Sequence, residues 1–515
     1  MRKLATLTAV ALAAAAVAAG CGGGDSSSSS PLGNALGYLP SDSPFAIAID
    51  TDPDRLDEAS DLADEAQGGD GQLDALLKQA LGDRADQLED LKDALGNPFV
   101  VGATNTREFL ESPEGSDQAF VGAIQAEDGD ALQKLVEGDR ATEDGEVAGA
   151  TVYVDDSGDP FAIDGDTLVV AGDRSQLEAA LTAHDEESGL SEDDFDAATD
   201  GLPSDAVARV YLNIGGMLQA SPDADEALRS KWVAAVRTGG IALAVEDDAV
   251  ALDINVNTDP EGLTDADLPM AAGSDSPQVL DRDAAIELAL RDPSQLLAFA
   301  QATAQAVDPD GFSGFTEGKA QIERQLKIDL DDDLIAQLKG DLAVSVGTDG
   351  KFGARAELTD PDALRATLAK LEPVLPDLAR GIAGERVGFA APKQGEDFYA
   401  VATADGDQVV FGVVGDVLVV ANDPKIAGSV ARQGTEAVDG ASGALVVKTD
   451  PRPLLAGLLG QVSSLELGNG GDLADQLGGQ LSSQLGRQDD LGDLTGSIEA
   501  TTDGLTGSFR IETGD

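Results

Sequence analysis

The chain has 515 residues, of which 42% are hydrophobic and only 4% aromatic, with one cysteine and one histidine. This composition supports a packed core, and it excludes a disulfide framework and a zinc site built from cysteines and histidines. The formal net charge of −63 repels nucleic acid, so we expect no nucleic-acid partner and predict a solvated acidic surface.

The first 20 residues have the pattern of a secretory signal that ends at a lipidation site. Arg2 and Lys3 precede the charge-free apolar run Leu4–Ala19, which is shorter than the roughly 20 residues that span a bilayer. Small residues then lead into Cys21, which resembles a lipobox. That resemblance implies a lipoprotein signal peptide at 1–20 and a diacylglycerol on Cys21. A plain signal peptide with a chance cysteine and a transmembrane anchor are the alternatives.

Residues 21–35 begin with the lipidated cysteine and continue as a Gly/Ser tether, Gly22–Gly24 followed by Ser26–Ser30. Such a composition is flexible and suits a spacer between a lipid anchor and a folded domain. We therefore predict an extracytoplasmic protein that is lipid-anchored to the cell membrane through Cys21.

Five segments recur in the same order along the chain, which predicts two tandem repeats, 36–265 and 270–515. The clearest match pairs Gly165–Asp173 with Gly415–Asp423. The other four matches pair Ser43–Leu56 with Asp283–Leu296, Leu91–Thr104 with Leu334–Thr348, Phe120–Leu135 with Phe352–Leu371, and Thr238–Ile241 with Thr495–Ile498.

Within each half, strand patterns alternate with helix patterns. In the segment 45–50, phenylalanine and isoleucine alternate with alanine and aspartate, which is typical of a strand. An Asp-Pro pair then predicts a helix start, because the carboxylate caps free backbone N–H groups and proline has none to lose. Such pairs stand at 52–53, 360–361, 423–424 and 450–451.

The segments Val250–Val256 and Phe509–Ile511 alternate cleanly between apolar and polar residues. This pattern favours antiparallel strands with one buried face and one wet face. The predicted fold class is α+β: two tandem repeats, each a large twisted antiparallel sheet with helices packed on one face.

One insertion, at about 461–490, has no counterpart in the first half. Leu473, Leu477, Leu481 and Leu485 recur at helical spacing among several glycines. The segment is either a mobile amphipathic lid or a surface helix.

The segment Leu39-Pro40-Ser41-Asp42-Ser43-Pro44 leads into the first predicted strand, and Leu202–Asp205 repeats its Leu-Pro-Ser-Asp core. It resembles the opening of an uncharacterised family of bacterial surface lipoproteins, mostly from high-GC Gram-positive lineages. That family carries a domain of unknown function that opens with Leu-Pro-x-Asp-x-Pro. The resemblance implies no activity and no functional residues.

The sequence contains no recognisable catalytic motif. His184 lies among Asp185, Glu186 and Glu187, where a lone histidine is expected to be incidental. No Gly-x-Ser-x-Gly elbow, phosphate-binding loop or dinucleotide fingerprint is present. We therefore predict no catalytic residues, no cofactor and no enzymatic activity.

The segment Asp50-x-Asp52-x-Asp54 opens like a calcium-binding loop. Position six is then Arg55 where glycine is needed, and position twelve is Asp61 where glutamate is usual. Further acidic clusters stand at Asp308–Asp310 and Asp329–Asp333. We expect weak binding of divalent cations and assign no specific metal site.

These observations predict a non-enzymatic protein that binds or scaffolds in the cell envelope. The alternative is a carrier of a lipid or other amphiphile in a groove between sheet and helices. The expected partners are the membrane, through the lipid on Cys21, an envelope protein or an apolar ligand, and weakly bound divalent cations. A filled sheet face would favour the scaffold, and an apolar groove would favour the carrier.

Overall fold

The computed structural model describes residues 30–51, 95–111, 120–126, 129, 132, 141–155, 158–246, 249–280, 282, 284–377, 380, 388–392, 397–402, 408–451 and 491–513. Over these residues the protein mixes helices with strands, and its dominant element is a 20-stranded antiparallel sheet. The predicted combination of helices with a large antiparallel sheet is confirmed.

Ten strands come from the first part of the chain. They are β1 (Phe45–Ile49), β2 (Leu95–Ala103), β3 (Phe120–Ala126), β4 (Thr142–Val147), β5 (Ala150–Val154), β6 (Pro160–Asp164), β7 (Thr167–Ala171), β8 (Ala208–Leu212), β9 (Val236–Glu246) and β10 (Ala249–Thr258).

Twelve strands follow, of which two short ones form a separate ribbon. They are β11 (Val279–Leu280), β12 (Ile286–Leu290), β13 (Leu342–Val346), β14 (Phe352–Glu357), β15 (Gly388–Ala390), β16 (Tyr399–Ala402), β17 (Gln408–Val414), β18 (Val417–Ala421), β19 (Thr435–Glu436), β20 (Leu445–Thr449), β21 (Leu491–Thr501) and β22 (Gly504–Thr513). The ribbon is β11 paired with β19.

The helices connect the strands. In the described residues they are α1 (Pro31–Leu36), α2 (Thr106–Glu111), α3 (Arg174–Asp185), α4 (Glu192–Thr199), α5 (Ile214–Ala220), α6 (Ala224–Ala227), α7 (Lys231–Ala235), α8 (Pro293–Val307), α9 (Pro309–Leu326), α10 (Leu330–Asp333), α11 (Pro361–Leu371) and α12 (Pro424–Val430), with short 3₁₀ turns at Asp265–Asp267 and Ile335–Gln337.

The strand pairings run through the sheet in one continuous order. From one end it is β4-β5-β6-β7-β3-β2-β1-β8-β9-β10. From the other end it is β15-β16-β17-β18-β14-β13-β12-β20-β21-β22. The two sets of ten are therefore connected in the same way, and the β10–β22 pair joins them at the centre.

The best sequence match falls on corresponding elements of the two sets. Gly165 has φ 57° in the turn between β6 and β7, and Gly415 has φ 62° in the turn between β17 and β18. Both angles lie in the left-handed region, which glycine adopts without a Cβ penalty. Asp173 and Asp423 then cap the following helices, α3 and α12.

The two faces of the sheet differ in side-chain size. One, which we call the small-residue face, carries Ala46 and Ala48 of β1, and the opposite large-residue face carries Ile47 and Ile49. Over the small-residue face of the first ten strands, α1, α3 and α4 close a core whose members include Leu36, Leu177 and Phe195. The short side chains of Ala46 and Ala48 belong to this core, so the helices pack closely on the sheet at this point.

Helices pack on both faces of the sheet, so the prediction of helices on one face is wrong. In β18, Val419 and Ala421 pack against α12 on the small-residue face. Leu418 of the same strand belongs to a cluster with Leu364 and Leu368 of α11 on the other face. The strand Val417–Ala421 is apolar on both sides, so each side needs a covering element.

Two of the predicted Asp-Pro helix starts are confirmed. Asp360 accepts the backbone N–H of Ala363 at the start of α11, and Asp423 accepts that of Lys425 at the start of α12. The helices expected after residues 53 and 451 lie outside the described residues.

Candidate functional site

The large-residue face carries a continuous row of mostly apolar side chains across neighbouring strands, which we call the central row. Each member lies directly opposite the next in the strand register. From β8 to β16 the row is Ala208, Leu243, Leu252, Phe509, Gly496, Val447, Leu288, Val344, Ala354, Val420, Phe411 and Tyr399.

Part of this face is exposed to solvent. Leu243 and Leu252 are 38% and 39% exposed although they lie in the middle of the sheet. Ile286 of β12 and Val409 of β17, on the same face, are exposed to a similar extent. Four of the eight large hydrophobic side chains found exposed in the described residues therefore share one sheet face. Leu243 and Leu252 lie directly opposite each other, and Ile286 and Val409 lie four and eight strands from Leu252.

On the small-residue face, the second set of strands contains a buried carboxyl group. Glu287 of β12 is only 3% exposed, and neither of its carboxylate oxygens has a hydrogen-bond partner among the described residues. Its register neighbours are Ser345 on one side and Lys448 on the other. At the corresponding position of the first set, Ala46 lies between Gly102 and Tyr211.

The charges around Glu287 act in opposite directions. Burial raises the pKa of Glu287 most strongly; Lys448 opposes this, and the carboxylates of Glu436 and Asp493 add to it. The result is a pKa of about 7, against an ordinary value of 4.5. This carboxyl group is therefore protonated below neutral pH and charged above it.

A cleft of about 240 Å³ lies beside the β11–β19 ribbon on the same face. Its lining is polar except for one alanine, and comprises Gln278, Asp341, Ala343, Arg355, Glu357 and Thr435. Burial raises the pKa of Asp341, the nearby Glu357 raises it further, and Arg291 partly opposes both. The cleft thus holds one guanidinium and two carboxyl groups.

His184, for which no catalytic role is expected, makes specific contacts with neighbouring elements. Its ring stacks on Tyr38 with centroids 4.0 Å apart. Its Nε2 lies 3.0 Å from Oδ1 of Asn34, and its Nδ1 lies 3.5 Å from Oδ2 of Asp164. Tyr38 in turn donates its hydroxyl to Asp164 at 3.0 Å. These contacts tie α3 to the segment after α1 and serve packing.

The other sequence-predicted features fall in different places. Cys21, Asp52, Asp54 and the leucines of the insertion at about 461–490 lie outside the described residues, as do residues 22–29 of the predicted tether 21–35. The last residues of that segment are not a flexible tether: Ser30 caps α1, and Leu32 and Ala35 of this helix are buried. Asp308 and Asp329 cap α9 and α10 through backbone N–H groups. Across the described ranges, no group of three or more His, Cys, Asp or Glu side chains is arranged to hold a metal ion.

Glu287 and Arg355 were missed by the sequence analysis, although the signal was present. In Ile286–Leu290 the glutamate alternates with leucine and shares a face with Ala289. The sequence match aligned Ser43 with Asp283, which makes Ile286 the equivalent of Ala46 in the second half. The strand registers instead place Glu287 at that position, one residue further on.

The model of one protein family, described as "Protein of unknown function (DUF3352)", matches residues 4–379. The chain therefore belongs to that family, whose description states no activity. No curated protein matches the sequence. No helix within the described part of the chain is both long enough and apolar enough to cross a bilayer.

Solved structures with some similarity include three crystal forms of TP0453, each at a TM-score of 0.24. Form III is 9% identical and covers 45% of this chain and 82% of that chain. Form I is 10% identical and covers 43% and 78%, and form IV is 8% identical and covers 43% and 80%.

Proposed function

We propose that this protein is a non-enzymatic, lipid-anchored binding protein of the cell envelope. We further propose that it carries a lipid or other amphiphile on the large-residue face of its sheet. The observation that supports the proposal is the central row, in which Leu243, Leu252 and Phe509 follow one another in register with the two leucines exposed. Covering such a surface is favourable by about 25 cal/mol for each Å² of apolar area removed from water.

The composition of this face favours an acyl chain over an aromatic or sugar ligand. Its exposed side chains are the aliphatic Leu243, Leu252, Ile286 and Val409, and aromatic residues make up only 4% of the chain. The net charge of −63 repels an anionic headgroup. The amphiphile that fits is therefore neutral or zwitterionic.

The leader supports the proposed location. A signal at 1–20, a diacylated Cys21 and a tether would hold the body at the outer face of the cell membrane, where acyl chains are available. The acidic surface would attract divalent cations weakly. The shared pairing order of the two strand sets supports the proposal that 36–265 and 270–515 are tandem copies of one unit.

A scaffold remains the second candidate, because the small-residue face of the first ten strands is closed by a filled core. In that case the exposed face would dock an envelope protein instead of an amphiphile. The two candidates differ in what the purified protein binds by itself.

The test is the binding of a fluorescent, zwitterionic phospholipid analogue to the mature chain, secreted through a cleavable signal that replaces the leader and Cys21. We expect saturable binding that Leu252→Gln weakens about tenfold, because a polar group then interrupts the central row. The matched control is Leu296→Gln on α8, where the leucine is 41% exposed but lies off the sheet. No binding, or equal affinity in both variants, would favour the scaffold.

A further inference from the structure

The cleft beside the β11–β19 ribbon is independent of the proposed amphiphile surface, because it lies on the opposite face of the sheet. Leu280 of the ribbon packs on Ala343 and Val419 and so covers the small-residue face. Gln278, which precedes β11, and Thr435 of β19 line one side of the cleft. The rest of the lining comes from β13, β14 and Asp341, the residue before β13.

Packing does not explain the arginine in this floor. Arg355 lies between Ala343 and Val419 in the strand register. At the corresponding position of the first set, Ala123 lies between Val100 and Val169, and all three are buried in a closed apolar core. An alanine therefore satisfies the fold at this point. A guanidinium placed there is costly to desolvate unless something pairs with it.

Protein groups only partly satisfy Arg355. One of its Nη atoms donates to the carbonyl of Gln433, and its buried Nε has no hydrogen-bond partner among the described residues. Guanidinium N–H groups form charge-assisted hydrogen bonds with carboxylates. The buried Nε is out of reach of a ligand, so the donor that Arg355 offers to a ligand carboxylate in the cleft is Nη2, which has no hydrogen-bond partner among the described residues.

The other charged groups of the cleft are suited to a cation. Asp341 and Glu357 are held side by side, since the Glu357 N–H donates to the Asp341 carbonyl at 2.9 Å. Their mutual repulsion contributes to the raised pKa of Asp341. Arg291, the cation that lowers the pKa of Asp341, donates to the carbonyls of Ala272 and Gly273. A ligand ammonium between the two carboxyl groups would relieve their repulsion.

We infer that this cleft binds a small polar α-amino acid, with its carboxylate on Arg355 and its ammonium between Asp341 and Glu357. The hydroxyl of Thr435 donates to Oε1 of Gln278 at 2.8 Å, which orients the Gln278 amide N–H groups as donors for a polar side chain. The volume of about 240 Å³ lies below the roughly 300–1,000 Å³ of pockets for drug-sized ligands, so the ligand is small.

The test uses L-serine and two compounds that each lack one of its charged groups. Ethanolamine is serine without the carboxylate, and 3-hydroxypropionate is serine without the ammonium. Titration calorimetry of the full chain should show one serine per protein. Each truncated compound should bind at least about tenfold more weakly, the loss of one charge-assisted contact.

Two variants and one control connect the binding to these residues. Arg355→Ala introduces the residue that the first set carries at Ala123, so the fold should persist, and serine binding should fall at least about tenfold. Asp341→Asn keeps the shape of the side chain and should weaken serine but not 3-hydroxypropionate. Arg324→Ala, an exposed arginine on α9, should change nothing.

Three results would overturn the inference. The first is the absence of serine binding by the wild-type chain at millimolar concentration. The second is equal affinity for serine, ethanolamine and 3-hydroxypropionate. The third is an Arg355→Ala protein that melts like the wild type and still binds serine normally. None of these results bears on the amphiphile surface.

Discussion

Glu287 lies directly opposite Lys448 on neighbouring antiparallel strands, yet Lys448 is paired with other carboxylates. The ammonium of Lys448 is 3.6 Å from Glu436 and 3.6 Å from Asp493. Burial lowers the pKa of Lys448, but Asp493, Glu287 and Glu436 outweigh it and hold the pKa above its usual value. A single lysine therefore faces three carboxyl groups, with Arg282 as a further cation that lowers the pKa of Glu287, and Glu287 takes up a proton below about pH 7.

This arrangement predicts a loss of stability as the pH rises. The pKa of Glu287 is raised from 4.5 to about 7 in the folded protein, so the folded state binds the proton more tightly than the unfolded state. The stabilisation from this tighter proton binding is complete below pH 4.5 and is lost as the pH rises through 7. The free energy of unfolding should fall by about 3 kcal/mol over this range. Urea unfolding of the wild type and of Glu287→Gln across this range measures it.

The glutamine variant is the reference, because it has no proton to lose. The free energy of unfolding of Glu287→Gln should rise relative to that of the wild type from pH 5 to pH 8. A constant difference across that range would show that Glu287 keeps its ordinary pKa in the folded protein.

His184→Ala should destabilise the protein by about 1–2 kcal/mol, because it removes both a stacked ring and a hydrogen bond. The ring of His184 stacks on Tyr38, and its Nε2 contacts Asn34. His184→Phe keeps a ring on Tyr38 and should lose less. Denaturant unfolding measures both, and an unchanged midpoint in His184→Ala would mean that these contacts do not contribute to stability.

Local patterns predicted much of the fold. The alternation in Phe45–Ile49 and the Asp-Pro caps at 360–361 and 423–424 depend on neighbours in the sequence, and all three are confirmed. The order of strands and the covering of both faces depend on long connections, which carry no short-range signal. Glu287 was missed because the alignment of the two halves was shifted by one residue at this strand, and such a shift assigns a side chain to the opposite face of the sheet.

Lipidation of Cys21 remains a prediction, since the residue lies outside the described part of the chain. Mass spectrometry of the mature N-terminus should find a diacylated cysteine, and Cys21→Ala should release the protein or leave it unprocessed. An unmodified mature N-terminus elsewhere would contradict the proposed anchor.

Salt should stabilise the protein. A net charge of −63 destabilises the compact state by self-repulsion, and 0.1 M salt screens this beyond about 10 Å. The melting temperature should therefore rise from low to moderate NaCl, and magnesium at equal ionic strength should do little more. A large shift from micromolar calcium would instead reveal a specific site.

The most direct test of the amphiphile proposal is native mass spectrometry of the mature chain, secreted by its own host without the lipid anchor and purified without detergent. We expect a stoichiometric neutral or zwitterionic lipid that Leu252→Gln largely removes and Leu296→Gln retains. A wild-type protein whose mass equals that of the bare polypeptide would contradict the account.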